Sequence, residues 1–300
     1  MKIAITGGSG FIGQKLTSTL TSAGHEVLIL TRNLEGKQAT DRVSYVKWMS
    51  QDATPEVELE GIDAIVNLAG ESIMGRWTKE KKEKILNSRI EATQAVISII
   101  QKLKQKPKVL LNASAIGYYG ISTSKDFVEG SEPDEPNFLS EVTQKWEACA
   151  QKAEEFGLRV VFGRIGIVLD SKEGALPMMV LPYKLFAGGT LGTGKQWMSW
   201  VHIDDLVSLY QFALENEKVE GPLNITAPNP MQMIEFGKTI SEVTRKPHWL
   251  PAPRFAMTTL LGEMSTLIVD GQKVFPRKAK DLGYRFKYSE LKPALRDLIG

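Results

Sequence analysis

The 300-residue chain has one cysteine, Cys149. No disulfide can form within it, and a reducing, cytoplasmic setting is expected. The thiol sits among apolar residues in a helical pattern, which gives it a packing role rather than a reactive one. Only three histidines occur, His25, His202 and His248, scattered and without the spacing of metal ligands. No run of eighteen apolar residues is present, and Met1-Lys2 leads straight into a short apolar stretch. Neither a secretory leader nor a membrane span is therefore expected. An excess of charge of one sign is also missing. Thirty-seven lysines and arginines against 35 acids leave a net charge of +2, which is no footprint for nucleic acid or an anionic membrane. The cluster from Lys79 to Lys84 is broken by glutamates and reads as a solvated helix face.

What the chain does have is ordinary globular composition, 42% hydrophobic and 24% charged, at a length that suits a large domain with a smaller lobe. Short apolar runs alternate with helical periodicity. "KIAIT", "EVLIL", "VSYVKW", "AIVNLAG", "KVLLNAS" and "LRVVFGRIG" read as strands. Helices are expected from Phe11 to Ala23, from Lys79 to Leu103 and from about Phe138 to Phe156. Such alternation implies an α/β fold, a doubly wound parallel sheet covered on both faces. The rhythm weakens after Val168, and Pro228, Pro230, Pro247, Pro251 and Pro253 punctuate the rest. The expected organisation is a core over 1–170 and a mixed substrate lobe over 171–300. Parts near 197–225 return to the core, and 246–300 form a small C-terminal domain.

The first strand runs directly into Thr6-Gly7-Gly8-Ser9-Gly10-Phe11-Ile12-Gly13, and a helix starts inside that loop. Gly7, Gly10 and Gly13 permit a tight turn, let backbone approach a pyrophosphate, and bring helix against strand. Helix-start amides and the helix dipole then face the phosphates, with Phe11 and Ile12 completing the loop. A dinucleotide ligand follows from this placement. Its type depends on the end of the second strand, where an acid would bond a ribose 2′-hydroxyl. The chain has Leu30-Thr31-Arg32-Asn33 instead, and no carboxylate until Glu35. Thr31 and the planar fork of Arg32 suit a 2′-phosphate, so NADP(H) is favoured over NAD(H).

Thr6-Gly7-x-x-Gly10-x-x-Gly13, "NLAG" (67–70), "SAIGYYG" (114–120), "GRIGIVL" (163–169) and "WVHIDDL" (200–206) together resemble the extended short-chain dehydrogenases/reductases. Within these, the likeness is to the NAD(P)-dependent epimerase/dehydratase group. "GESI", "RWT" and "SRI" between Gly70 and Ile90, "KWE" at 145–147 and "DGQKVFPRKAKDLGYRF" near the end narrow it further. They point to the atypical epimerase-family branch that carries a small C-terminal domain of unknown function. The resemblance covers nearly the whole chain and implies a Rossmann domain binding NADP(H). Leu68 and Ala69 would line the adenosine side, and Gly70 would pass close to the cofactor. Arg89 would reach towards the cofactor, and backbone near Ile167 and Val168 would lie by the nicotinamide.

Typical members of that group use a serine, a tyrosine, and a lysine four residues after the tyrosine. A phenol of pKa about 10 needs the lysine cation to act as a base at neutral pH. Aligning Glu147 with the group's usual glutamate puts Leu139 in the tyrosine's place and Thr143 in the lysine's. Lys145 stands two residues on, turned about 200° around the helix, where pairing with Glu141 is expected. "YSELK" (288–292) has the tyrosine–lysine spacing but lies outside the relevant helix. "GTLGTGK" (189–195) lacks the Ser/Thr and the helix of a nucleotide-binding loop.

Ser114 and Tyr118 are therefore the candidate catalytic residues, with Tyr119 beside them and Glu71, Arg76 and Trp77 as a possible cleft wall. Arg164 either reaches the cleft or anchors its strand. Two readings stand. One is an NADP(H)-dependent oxidoreductase or epimerase-like enzyme, with its small-molecule substrate in a cleft beside the nicotinamide. The other is a non-catalytic NADP(H)-binding redox sensor. Neither substrate nor oligomeric state is written in the sequence.

Overall fold

The computed structural model describes residues 1–252, 255, 259, 262–266 and 270–300; Pro253 lies outside them. β1 (Lys2–Thr6) enters α1 (Phe11–Ser22), which returns to β2 (Glu26–Thr31) and β3 (Val43–Lys47). The single turn α2 (Pro55–Glu58) precedes β4 (Ala64–Asn67). The long α3 (Lys79–Lys102) follows, capped by Thr78, whose hydroxyl accepts the Lys81 N–H at 3.2 Å. β5 (Val109–Ala115) ends in a 3-10 turn over Ile116–Tyr119, and β6 (Asp126–Phe127) comes next. α4 (Phe138–Gln151) starts at a reciprocal cap between Asn137 and Ser140. It runs on as a 3-10 segment through Phe156 to β7 (Arg159–Ile165).

β1, β2, β3, β4, β5, β7 and β11 (Gly221–Ile225) form one parallel sheet in the order β11-β7-β5-β4-β1-β2-β3. This is the doubly wound sheet that the alternation of strand and helix predicts. Period-two alternation sorts the side chains. Ile3, Ile5, Val27, Ile29 and Val66 pack with Leu16 and Leu20 of α1 on one face. Ala4, Leu28, Leu30 and Ile65 pack with Val96, Ile99 and Ile100 of α3 on the other. Strand order reverses between β1 and β4, so a crevice opens at their carboxyl ends.

The rest of the chain builds a second core. β8 (Ile167–Leu169) pairs with β10 (Trp200–His202), and β9 (Trp197–Met198) with β12 (Met231–Gln232). α5 (Leu176–Lys184), α7 (Met233–Thr244) and α9 (Leu291–Ile299) pack around Trp200, Met198 and Phe236. α6 (Ile203–Glu215) lies against the main sheet beside α1. Its start is capped by His202, whose Nδ1 accepts the Asp204 N–H at 3.1 Å.

The C-terminal segment is stitched to the earlier parts. β13 (Lys273–Val274) pairs with β6, and the short α8 (Arg277–Asp281) follows. The buried Asp205 carboxylate accepts the backbone N–H groups of Lys287 and Tyr288, both at 2.8 Å, and the Tyr284 hydroxyl at 3.1 Å. No helix among the described residues is long and apolar enough to cross a membrane. No group of three or more metal-ligating side chains occurs among them either.

Candidate cofactor and substrate site

The glycine loop closes as close packing requires. Gly7 has φ +68°, and a Cβ there would sit 2.9 Å from the Leu68 carbonyl. A Cβ on Gly13 would sit 2.3 Å from the Gly7 oxygen, so α1 meets β1 backbone to backbone. The Gly10 N–H donates to the Gly7 oxygen at 3.0 Å, holding the turn. α1 has no side-chain cap and no acid in its first turn, which leaves its positive end for an anion. Phe11 and Ile12 are half-exposed at that end.

β2 runs out into a local turn. The Thr31 hydroxyl donates to the Asn33 carbonyl at 2.9 Å, and Asn33 Oδ1 accepts the Glu35 N–H at 2.8 Å. Arg32 projects from this turn, exposed, with no hydrogen bond or ion pair among the described residues. An uncapped helix start and a free guanidinium fit a diphosphate and one further phosphate.

Beneath the crevice runs a buried polar chain. The Thr6 hydroxyl donates to Asn67 Oδ1 at 2.6 Å and accepts the Leu68 and Ala69 N–H groups at 3.1 Å each. Asn67 Nδ2 donates to Asn112 Oδ1 at 2.6 Å and to Thr93 Oγ1 at 3.0 Å, and Trp146 Nε1 donates to the same Thr93 oxygen. The "NLAG" turn is thereby fixed from below. Arg89 fixes it from the side. Its Nη1 donates to the carbonyls of Glu71 and Ile85 at 3.0 and 2.9 Å, and a Cβ on Gly70 would lie 3.1 Å from the Arg89 side chain. Burial pulls the guanidinium pKa down to about 10, so it stays a cation at neutral pH.

At the carboxyl end of β5 the candidates named from the sequence separate. Ser114 is buried and donates to Glu147 Oε1 at 2.6 Å. Arg164 grips the same carboxylate twice, Nε to Oε1 at 2.9 Å and Nη2 to Oε2 at 2.8 Å. Arg164 is thus the anchor of β7. Its Nη1 donates to the Tyr119 hydroxyl at 3.0 Å, which in turn donates to Asn224 Oδ1 at 2.7 Å. Burial pushes the Tyr119 phenol up to about 12. Glu129, whose Oε1 accepts the Asn224 N–H at 3.2 Å, is raised above the carboxylate range by the same cause. Tyr118, one residue earlier, is half-buried. Its ring lies against Arg164, with the guanidinium carbon 3.4 Å from the centroid. Its hydroxyl has no hydrogen-bond partner among the described residues.

Leu139, Thr143 and Glu147 repeat every four residues and share one face of α4. Leu139 packs on Gly117, where a Cβ would sit 3.1 Å from its own. The Thr143 hydroxyl lies 2.9 Å from the Leu139 carbonyl and 3.0 Å from that of Ser140, bonding back within the helix. Lys145 is exposed and paired with Glu141 at 2.6 Å, as its spacing predicts. Trp77 is buried edge-on to Phe138, centroids 5.3 Å apart, in a cluster with Ile73, Leu86 and Leu139. Glu71 is paired with Lys81 at 2.6 Å, and Arg76 is exposed. Val168 pairs with Val201. A Cβ on Gly174 would lie 3.2 Å from the Val168 oxygen and 3.4 Å from the Phe11 ring, which brings β8 to the glycine loop.

The two look-alike motifs take other roles. Tyr288 is buried against His202 with ring centroids 3.9 Å apart, and Lys292 pairs with Glu242 at 2.8 Å. "GTLGTGK" packs backbone to backbone on Leu250 at Gly189, and no helix follows it. Cys149 is buried, and burial raises its thiol pKa.

Residues 3–226 match the model of the NAD dependent epimerase/dehydratase family, and residues 252–298 that of a domain of unknown function, DUF1731. The chain belongs to the NAD dependent epimerase/dehydratase family. It is 52% identical over 299 residues to the epimerase family protein YfhF of Bacillus subtilis, covering 100% of this chain and 98% of that one. Among solved structures, the human epimerase family protein SDR39U1, determined with NADPH, superposes with a TM-score of 0.88 at 33% identity, covering 99% of each chain. UDP-glucuronic acid 4-epimerase from Bacillus cereus, determined with UDP-glucuronic acid and NAD, shares the fold at 18% identity. Its TM-score is 0.78 over 98% of this chain and 96% of that one.

Proposed function

We propose that the chain is an NADP(H)-dependent oxidoreductase acting on a small molecule in the cleft at the carboxyl end of β5. The backbone of Gly7, Gly10, Phe11, Ile12 and Gly13 holds the diphosphate, and Thr31 and Arg32 take the 2′-phosphate. Leu68, Ala69 and Gly70, with Arg89 behind them, face the adenosine side, and Val168 the nicotinamide. When bound, the nicotinamide supplies or accepts a hydride. Tyr118 is the candidate hydrogen-bond donor to substrate. Ser114 directs its proton to Glu147 and serves as an acceptor. The observation that carries the reading is the uncommitted Arg32 beside an uncapped α1, supported by the human relative determined with NADPH.

Titration calorimetry tests it. Arg32→Ala is expected to weaken NADPH roughly tenfold to a hundredfold, the value of one charge-assisted contact, and to leave NADH within about twofold. Equal losses for both nucleotides would refute the 2′-phosphate assignment. Leu139 and Thr143, standing where a tyrosine and lysine would serve, favour the second reading, a redox sensor that holds NADP(H) without turnover. Loss of turnover in Tyr118→Phe with NADPH affinity retained supports the enzyme. Tight NADPH binding with no oxidation across carbonyl and conjugated acceptors supports the sensor.

A further inference from the structure

We propose that the substrate is a delocalised two-electron acceptor, a quinone or isoalloxazine ring, reduced by hydride from the bound nicotinamide. The assignment rests on the oxidoreductase reading and narrows it.

The protons of the site are already committed. Ser114 directs its own to Glu147, which also accepts two bonds from Arg164. Tyr119 has committed its proton to Asn224. Thr143 spends its own within the helix. Tyr118 has a hydroxyl to offer, but no lysine hydrogen-bonds to it among the described residues, and Lys145 is turned away to Glu141. Oxidising a carbinol, or epimerising one through a ketone, needs a base that removes the hydroxyl proton. None is assembled among the described residues. The neighbouring side chains Ile73, Trp77, Phe138 and Leu139 are apolar, and Lys82, whose ammonium lies 5.2 Å from the Phe138 ring centroid, is paired with Glu263. Arg164, against the Tyr118 ring, is likewise committed to Glu147. A localised alkoxide formed here would meet apolar groups and cations already paired, which is costly.

A quinone or isoalloxazine avoids both difficulties. The acceptor gains two electrons and one hydrogen as hydride while the nicotinamide is oxidised. The resulting monoanion spreads its charge over the ring and takes its second proton from water afterwards, so no side chain changes protonation state. Tyr118, steadied by Arg164, then donates a hydrogen bond to the acceptor's carbonyl oxygen and keeps its proton. The apolar cluster around Leu139 suits a flat conjugated ring.

The test uses the full chain. Calorimetry first establishes NADPH binding; without it both the oxidoreductase reading and this proposal fall together. NADPH oxidation is then followed with 1,4-naphthoquinone, with riboflavin, and with benzaldehyde, cyclohexanone and a uridine diphosphate sugar. The expected result is oxidation by naphthoquinone or riboflavin at least about tenfold faster than by any of the other three. The rate should change by less than about twofold between pH 6 and 9 and in heavy water. Which of the two rings is faster separates the quinone from the flavin arm.

A readout without turnover accompanies it. Naphthoquinone should quench the tryptophan fluorescence of protein loaded with NADP⁺, and Leu139→Lys should abolish that quenching with NADPH affinity intact. Should the lysine variant not fold, Leu139→Ser should weaken quenching about tenfold. Comparable rates with benzaldehyde or cyclohexanone, or a clear solvent isotope effect, would overturn the acceptor class and leave the oxidoreductase reading standing. NADPH binding with no oxidation by either ring would overturn it in favour of the sensor.

Discussion

Replacing Glu147 with alanine should be among the most damaging single changes in the core of this chain. Its carboxylate and the Arg164 guanidinium are 9% and 3% exposed, so water screens them little. Two N–H···O bonds of 2.9 and 2.8 Å and the Ser114 hydroxyl converge on that one group. Glu147→Ala strands a buried cation and a buried hydroxyl together, and breaking one partner of such a pair costs about 3–5 kcal/mol. At about 2–4 °C per kcal/mol for large domains, the melting midpoint falls by about 6–20 °C. Removing both charges should cost far less. Glu147→Leu with Arg164→Met exchanges the pair for apolar volume, an exchange that is often neutral or stabilising by about 1–4 kcal/mol in comparable cases. Urea unfolding followed by tryptophan fluorescence and circular dichroism measures both, with coincident transitions as the check on two-state behaviour. A single-variant cost below about 1 kcal/mol, or a double variant as costly as the sum of its singles, would refute the account of Arg164 and Glu147 as a mutually dependent buried pair.

Gly13→Ala pushes a methyl into the Gly7 carbonyl at 2.3 Å; α1 must withdraw by overpacking worth about 1–3 kcal/mol. NADPH affinity measured by calorimetry should fall roughly tenfold to a hundredfold, and unchanged affinity would contradict the backbone-cradle assignment. Glu129 is held above the carboxylate range by burial. The folded state therefore binds its proton more tightly than the unfolded state does, and stability declines as pH rises from the ordinary glutamate range through the raised value. Glu129→Gln, which keeps the acceptor for the Asn224 N–H, should remove that decline and be more stable than the parent at pH 7. Parallel stability–pH profiles for the two proteins would show that burial of this carboxyl is not felt.

The parts of the molecule governed by local rules are legible in the amino-acid sequence alone. β1 and the glycine loop are adjacent along the chain and sort by period two and by glycine placement. The Lys145–Glu141 pair follows from helix pitch. The floor of the site is not legible in this way, because its members meet across the sheet. Asn67 and Asn112 are 45 residues apart and Tyr119 and Asn224 are 105 apart; each of the three asparagines looks in sequence like a polar interruption in an apolar strand. That interruption is the one available signal, since Thr6, Asn67, Asn112, Ser114, Arg164 and Asn224 all stand near carboxyl ends of sheet strands. Ser114 reads as a free hydroxyl until Glu147 on α4 is seen to take its hydrogen bond. Tyr118 and Tyr119 are indistinguishable in the string "GYYG", and only the 3-10 turn separates the half-exposed ring from the enclosed one.

The Asp205 carboxylate, set in the first turn of α6 and filled by three donors from Tyr284, Lys287 and Tyr288, bears on how this chain can be divided. The two family models leave a gap between residues 226 and 252 that looks like a convenient place to cut, but no seam in the folded object corresponds to it. A piece ending there would strip the Asp205 carboxylate of its three donors, β6 of its partner strand, and the Asn224 side-chain amide of the Phe275 carbonyl to which it donates. The C-terminal segment and its socket on α6 therefore belong to one packed unit.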